Sequence, residues 1–280
     1  MTKLERLLRR DGLFIGAHRG YSERYPENTL LAVQEGIALG VDLVEVDVYL
    51  SRDGVPVIAH DNHLERCSNG TGNIHNYTLK ELKQLDFGIH RGVVYEGLHL
   101  PTLEQFLSYM RDYPDVLMDI DFKVYDYTLD TVKAALPLIE QMGMMDHCVF
   151  NCVDCDIVSY LTERVGRRVI GAPHDYPWRV NFHPGPNGTL NELWGICIPY
   201  NMLDDEHVKL YRDHDIAIIC TPADTPEQVA RAMHYQTTLP LCNDPRAYLR
   251  AAGRLVDHDF GIGKRKALAL CTAREQECTH

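Results

Sequence analysis

Two acidic residues lie two positions apart in a segment rich in valine. The segment reads Asp42-Leu-Val-Glu-Val-Asp-Val-Tyr49, so that Glu45 and Asp47 alternate with the valines. Alternate side chains of a β-strand point to the same face, which places both carboxylates on one face and the valines on the other. Two buried carboxylates need a cation or a proton, because burying an unpaired charge is costly. The pattern predicts a strand whose carboxylates face a charged interior.

A second segment repeats this arrangement. In Met118–Lys123 the side chains of Asp119, Asp121 and Lys123 share one face of a predicted strand. Carboxylates from two strands around one point suit a hard, oxygen-preferring ion such as Mg²⁺, Ca²⁺ or Mn²⁺ better than zinc. The alternative is that these residues form internal salt bridges with Arg19 or Lys123. Because the pattern occurs on two strands, we favour the metal site.

Histidines follow two further strand candidates. His18 and Arg19 come directly after Leu13–Ala17, and His60 and Asp61 follow a short apolar run. Histidine suits proton transfer near neutral pH, and a pair can act as base and acid in one displacement. The forked guanidinium of Arg19 matches phosphate oxygens. Together with the carboxylates, these residues predict a site for acid–base chemistry at the ends of the strands.

Short apolar runs alternate along the chain with longer segments of helical period. This alternation, with eight strand candidates, predicts a parallel (β/α)8 barrel of the TIM type. A doubly wound open sheet is the alternative, since periodicity does not distinguish a closed sheet from an open one. The strand candidates are Leu13–Ala17, Leu43–Tyr49, Val116–Phe122, Cys148–Asn151, Arg168–Ala172, Gly195–Ile198, Ile216–Cys220 and Leu239–Asn243, and the helix candidates include Glu27–Leu39, Leu103–Met110, Leu129–Met142, Asp154–Arg164, Asp204–His214 and Pro226–Met233.

One interval is too long for a single strand–helix unit. Between Tyr49 and Leu103 the sequence holds a turn-rich stretch and a short helix candidate, Thr78–Leu85. We interpret residues 50–102 as an insertion after the second strand, where it would lie over the mouth of the barrel. Residues 1–256 are then a single barrel domain, and residues 257–280 are a C-terminal tail.

Composition restricts the class of protein. The 280 residues are 45% hydrophobic, which argues against disorder. Their net charge of −12 argues against nucleic acid as a partner. No apolar stretch approaches the roughly 20 residues of a membrane span. The nine cysteines are scattered and odd in number, which favours free thiols over a disulfide framework. With no secretory signal recognisable in the basic segment Met1–Arg10, we expect a short helix there and a cytoplasmic location.

The charged pairs belong to a longer series of short motifs. In order along the chain these are His18-Arg19-Gly20, Pro26-Glu27-Asn28-Thr29, Glu45-Val-Asp47, Asp53-Gly54, His60-Asp61, Leu100-Pro101-Thr102-Leu103 and Asn243-Asp244-Pro245. In order and spacing the series resembles the glycerophosphodiester phosphodiesterase family. The likeness covers about Gly12 to Gly253, and its N-terminal third is the most specific part.

The resemblance implies a TIM-type barrel and a metal-dependent hydrolysis of a glycerophosphodiester to an alcohol and glycerol 3-phosphate. It implies one divalent cation, Mg²⁺ or Ca²⁺ with Mn²⁺ as a further candidate, and a small-molecule phosphodiester as partner. A homo-oligomer is left open, as is the choice of acid and base between the two histidines. The implied roles are His18 and His60 as the acid–base pair, Arg19, Lys123 and Glu27 as substrate-binding residues, Glu45, Asp47 and Asp121 as metal ligands, and Asn28 as a residue that fixes its loop.

Four positions depart from the family pattern. Asp121 stands where relatives usually have Glu, Asn151-Cys152 replaces a Ser-Phe pair, and Cys220, followed by Thr221, replaces an expected Trp. In relatives the later positions line the alcohol side of the pocket. Their polarity raises the alternative of a sugar phosphodiester substrate, such as an agrocinopine-type opine.

Two more distant alternatives remain. A non-catalytic phosphodiester-binding barrel would be favoured by loss of the histidines or carboxylates, and all of them are present. A sphingomyelinase D-like phospholipid lyase shares the barrel but typically needs secretion and disulfides, for which the sequence shows no signal. We therefore favour the phosphodiesterase.

Overall fold

A closed ring of eight parallel strands forms the centre of the computed structural model, which describes residues 1–175 and 189–255. β1 pairs with β2 on one side and with β9 on the other, so the sheet has no open edge. The predicted barrel is confirmed, and the open-sheet alternative is wrong. The described strands are β1 (Gly16–His18), β2 (Leu43–Leu50), β3 (Pro56–Ile58), β4 (Leu117–Phe122), β5 (Cys148–Asn151), β6 (Val169–Gly171), β7 (Gly195–Pro199), β8 (Ala217–Thr221) and β9 (Leu239–Cys242).

Helices connect most of the strands and begin at polar caps. Thr29 accepts a hydrogen bond from Ala32 at the start of α2, and Asp204 caps α7 in the same way. Thr225 and Gln228 form a capping box before α8, with proline at its first position. The described α-helices are α1 (Lys3–Leu8), α2 (Leu30–Ala38), α3 (Leu79–Leu82), α4 (Leu103–Met110), α5 (Thr128–Gln141), α6 (Cys155–Val165), α7 (Asp205–Asp213), α8 (Pro226–His234) and α9 (Arg246–Ala251).

The first strand is shorter at its start than the apolar run suggests. It begins at Gly16 rather than Leu13, because the backbone before it bonds outside the strand ladder. The Phe14 amide donates to the Thr238 carbonyl, and the Ile15 amide donates to the Asp42 carboxylate at 2.9 Å. Apolar content predicted the run, but these contacts set where the strand begins.

Alternation along the strands separates two cores. The valines of β2 belong to the large apolar layer between the strands and the helices, as expected. The inward face of the same strand begins with Leu43 in a second apolar cluster and continues with Glu45 and Asp47. Leu4 and Leu7 of α1 join this second cluster and close the barrel at its N-terminal end. The barrel therefore has an apolar floor beneath a charged upper layer.

The predicted insertion after β2 has its own small core. β3 pairs antiparallel with β2 and returns the chain to the mouth of the barrel, and short helical turns follow it. Leu64, Ile74, Leu82 and Phe87 pack together over β2 and β3. The insertion is thus a folded layer beside the barrel mouth.

Two further predictions concern the cysteines and the membrane. The cysteines at 67, 148, 152, 155, 197, 220 and 242, which lie in the described residues, are free thiols as expected. None of the described helices is long and apolar enough to cross a membrane. The proposed tail, residues 257–280, lies outside the described residues, and the single-domain assignment stays a prediction.

The apolar floor generates a stability prediction. Leu7 is fully buried, so Leu7→Ala should lower the free energy of unfolding by about 2–5 kcal/mol through lost burial and a residual cavity. Arg9→Ala, at an exposed position beside α1, should change it by less than about 0.5 kcal/mol. Chemical denaturation measures both values. Equal effects of the two substitutions would contradict the role given to α1.

Candidate active site

Strand register brings the predicted acidic residues together. His18 pairs with Glu45 between β1 and β2, and Asp47 pairs with Asp121 between β2 and β4. Glu45, Asp47 and Asp121 each place one oxygen within 4.8 Å of the others. They lie at the C-terminal end of the barrel, where the chemistry of this architecture collects.

This cluster carries more negative charge than its surroundings neutralise. Burial, together with the charge of Asp47, raises the pKa of Glu45 well above its ordinary value. Burial also raises the pKa of Asp121, with Asp47 adding to the shift. A set made only of carboxylate oxygens, with two raised pKa values, fits a hard divalent cation. The residues present therefore fit the metal that the sequence analysis expects.

Two cationic side chains already contact the cluster. Lys123 Nζ lies 2.7 Å from Asp47 Oδ1 and also bonds Asp121, and Arg19 Nε lies 3.4 Å from Asp47 Oδ2. Burial opposes ionisation of Asp47, but the charges of Lys123 and Arg19 outweigh it and lower its pKa. The salt bridges considered as the alternative to a metal site are therefore formed. They neutralise Asp47 and leave Glu45 with a raised pKa.

The loop between β1 and α2 orients the cluster. Arg19 and Asn28 both have left-handed backbone, with φ of +58° and +59°. The Arg19 amide donates to Glu45 Oε2 at 2.7 Å. The Asn28 amide group donates to Asp47 Oδ2 at 2.7 Å, and its oxygen accepts the Asp47 backbone N–H. Asn28 thus fixes Asp47 as well as the loop, which extends the role expected for it.

Gly20 is required by the same loop. Its φ is +74°, and a Cβ atom there would lie 2.5 Å from the backbone carbon of Ala32 in α2. Any side chain would push the loop away from the helix. The close approach keeps Arg19 at the barrel mouth.

His18 is held in one orientation by a hydrogen-bonded chain. Asn243 Nδ2 donates to Asp224 Oδ2 at 2.8 Å, so Asn243 Oδ1 faces His18 and accepts from Nδ1 at 2.8 Å. The His18 proton therefore resides on Nδ1, and Nε2 points toward Glu45 at 3.9 Å. Burial, reinforced by the charge of Arg19, lowers the pKa of His18 to about 3. The imidazole is neutral and presents an open Nε2.

His60 is anchored in a similar way from the insertion side. Its Nδ1 lies 2.6 Å from Asp61 Oδ1, an acceptor that requires the proton on Nδ1. Burial lowers the pKa of His60 below its ordinary value, although the charge of Asp47 opposes the shift. His60 and Glu27 line a small void beneath the insertion. Glu27 reaches the cluster through Arg19, whose Nη1 donates to it at 3.0 Å.

A cavity of about 330 Å³ opens at the carboxylates. Asn151 lines it, as the sequence analysis expects, and Thr221 lines it as well. Cys152 and Cys220, which were expected to line it as well, instead pack in the apolar layer beneath the helices. Adjacent residues of a strand point to opposite faces, so an assignment that is off by one residue places the wrong side chain in the cavity. The residues that line this cavity include His18, Arg19, Glu45, Asp121, Lys123, Asn151, Ala172, Cys197, Pro199 and Thr221.

Comparison with known proteins agrees with this arrangement. The family model of the glycerophosphoryl diester phosphodiesterases matches residues 18–166, which include His18, His60, the three carboxylates and Lys123. The chain belongs to this family.

Individual relatives match shorter parts of the chain. A glycerophosphodiester phosphodiesterase of Caldanaerobacter subterraneus is 41% identical over 107 residues, which are 38% of this chain and 44% of that protein. The human glycerophosphodiester phosphodiesterase 1 is 27% identical over 193 residues, 68% of this chain and 57% of that protein. The chain thus spans about half the length of these relatives.

Solved structures share the fold. An Oleispira antarctica phosphodiesterase, solved in complex with the product sn-glycerol-3-phosphate, superposes with a TM-score of 0.74 at 22% identity, covering 88% of this chain and 99% of that one. A glycerophosphodiester phosphodiesterase from Agrobacterium tumefaciens gives a TM-score of 0.69 at 22% identity, covering 85% and 100%.

Sequence reasoning missed three groups at the site. Asn243 belongs to a recognised motif, but its hydrogen bond to His18 connects residues 225 positions apart. Arg66 bonds both Asp61 and Glu27 from the insertion, and Cys197 lines the cavity from β7. For Arg66 the available sequence signal was its position five residues after Asp61.

The two environments of His18 and His207 generate a titration prediction. Burial opposes protonation of His207, but hydrogen bonds to Asp204 and Asp175 raise its pKa above the ordinary value. As the pH falls from about 8 to about 5, His207 should become protonated while His18 stays neutral. Nitrogen-15 NMR of labelled histidines, assigned with His18→Gln and His207→Gln, measures this. Protonation of His18 before His207 would contradict the environment described for it.

Proposed function

We propose that the protein is a metal-dependent phosphodiesterase that hydrolyses a glycerophosphodiester to an alcohol and glycerol 3-phosphate. The observation that carries the proposal is the meeting of three carboxylates within 4.8 Å beside Arg19 and Lys123. Two histidines with anchored Nδ1 atoms lie near it: His18 Nε2 is 3.9 Å from Glu45 Oε2, and His60 is close enough to influence the charge of Asp47. This combination suits displacement at a phosphate, where a cation and fixed positive charges face the phosphate oxygens and proton-transfer groups face the attacking and leaving oxygens.

Glu45, Asp47 and Asp121 would hold the divalent cation. When bound, the cation supplies positive charge against the negative charge that develops on the phosphate oxygens. The guanidinium of Arg19 and the ammonium of Lys123 lie beside the same carboxylates and would contact the remaining phosphate oxygens. Lys123 and Arg19 therefore orient the diester while Glu27 holds Arg19 in place.

The histidines supply proton transfer. In each ring Nδ1 donates to a fixed oxygen, so Nε2 is left to take or give a proton. One Nε2 accepts the proton of the attacking oxygen. The other ring takes up a proton when the anionic diester binds beside it, because a nearby negative charge favours the imidazolium, and its Nε2 then delivers that proton to the leaving alcohol. Their lowered pKa values keep a neutral base available at neutral pH. We leave open which ring has which part.

A sugar phosphodiester is a second candidate substrate. Asn151 and Thr221, two polar side chains on the wall of the cavity, favour a hydroxyl-rich alcohol over an apolar one. The Oleispira relative binds the product sn-glycerol-3-phosphate, which supports glycerol as the second alcohol esterified to the phosphate. The free thiols support the cytoplasmic location that the sequence predicts.

Phosphorus NMR of the protein with mixed diesters tests the proposal. The mixture holds glycerophosphocholine, glycerophosphoethanolamine and a sugar–phosphate–sugar diester, with Mg²⁺ or Ca²⁺ and then with chelator. We expect chelator-sensitive conversion, a loss of about a hundredfold or more in His18→Ala and in His60→Ala, and no response to added metal in Asp47→Ala. His214→Ala, at the end of α7, should keep the wild-type rate.

The outcomes separate the candidates. Conversion of the glycerol compounds supports the first, and conversion of the sugar diester alone supports the second. Activity of His18→Ala within a few-fold of wild type would contradict its role in proton transfer. No conversion of any diester would favour the non-catalytic binding barrel.

A further inference from the structure

Arg66 connects the two sides of the candidate site from outside the barrel strands. All three guanidinium nitrogens are engaged by carboxylates of the site's own loops. Nη1 and Nη2 donate to the two oxygens of Glu27, each at 2.7 Å, and Nε donates to Asp61. The remaining oxygen of Asp61 accepts from His60 Nδ1, and Glu27 Oε1 also accepts from Arg19.

We propose that Arg66 is a positioning residue that sets His60 and Arg19 at the same time, through Asp61 and Glu27. This inference rests on the proposed phosphodiesterase activity of the site. It gives the insertion a second functional residue beside His60, because Arg66 also lies within residues 50–102 and not in a barrel strand.

The insertion holds Arg66 firmly enough for this role. Arg66 ends a short 3-10 turn, Leu64–Arg66, whose first residue is buried in the insertion's own core. The Leu64 amide donates to the Gly72 carbonyl, and both the amide and the hydroxyl of Ser68 donate to the Leu64 carbonyl. The backbone that carries Arg66 is therefore fixed on both sides of the turn.

Arginine suits the role for a geometric reason. Its planar fork can meet one carboxylate with two parallel hydrogen bonds and still offer Nε to a second carboxylate. Lysine presents a single point charge and cannot hold both groups in fixed orientation. The hydrogen bonds of Arg66 lower the pKa of Glu27 to about 2, although burial opposes this, so Glu27 stays charged beside Arg19.

A stability role predicts a different result from a positioning role. The Arg66 side chain is 47% exposed, so solvent screens its ion pairs and limits their contribution to the free energy of folding, even though its contact with Glu27 is forked. Arg66→Met should therefore leave thermal stability close to that of a matched control. Arg52→Met is that control, because Arg52 lies just after β2, is 52% exposed and pairs with Glu81 at 2.8 Å on the insertion surface.

The first test is kinetic. We expect kcat to fall about tenfold or more in Arg66→Met, because a small displacement of His60 and Arg19 from their reactive positions lowers the rate of the chemical step. Arg52→Met should keep the wild-type kcat. Arg66→Lys should stay impaired, since it can meet only one of the two carboxylates. The losses of kcat caused by Arg66→Met and by Asp61→Asn should not add in the double variant, because both substitutions act on His60. Wild-type kcat in Arg66→Lys or additive losses would contradict the proposal.

The second test does not depend on turnover. In nitrogen-15 NMR the neutral His60 ring of the wild type should show a proton held on Nδ1, and Arg66→Met should show averaging between the two ring nitrogens. Arg52→Met should leave the His60 signals unchanged. Unaltered His60 signals in Arg66→Met would overturn the inference. If the wild type converts no diester, the proposed function fails, and these signals alone decide the role of Arg66.

Discussion

Negative charge inside the barrel is the constraint on which the rest of the site depends. Glu45, Asp47 and Asp119 are almost completely removed from solvent, and burying carboxylates without partners is strongly unfavourable. Lys123 and Arg19 supply part of the compensation, chiefly to Asp47. The raised pKa values of Glu45 and Asp119 show that compensation is incomplete. A bound cation would complete the compensation of this negative charge. The same cation is the one that the proposed reaction needs.

The barrel separates this charged layer from an apolar one. Inward side chains of the barrel strands form the floor with Leu4 and Leu7 of α1. The carboxylates occupy the next inward positions along β2 and β4. The floor gains stability by apolar burial, whereas the side chains of the upper layer are oriented by hydrogen bonds. Asn28, Asn243 and the backbone of the first loop provide these bonds. The division places rigidity beneath the site and chemistry at its mouth.

Features that depend on local periodicity could be predicted from the sequence. The alternation in β2 and β4 predicted inward carboxylates, because the period of a strand is a property of neighbouring residues. Contacts between distant segments could not be predicted: Asn243 meets His18 across the closure of the barrel, and Arg66 reaches Glu27 from 39 positions away. The expectation for Cys220 was wrong by one position, since the sequence does not determine which of two adjacent residues at a strand end faces the cavity. Thr221 lines it instead.

Anomalous diffraction from crystals soaked in Mn²⁺ tests the central claim, which is that the carboxylates of β2 and β4 form a cation site. The account predicts a strong manganese peak among Glu45, Asp47 and Asp121, and its loss in crystals of Asp47→Asn. A wild-type crystal with no peak at this cluster would contradict the account. In that case Lys123 and Arg19 would be the cluster's only partners of opposite charge among the described residues.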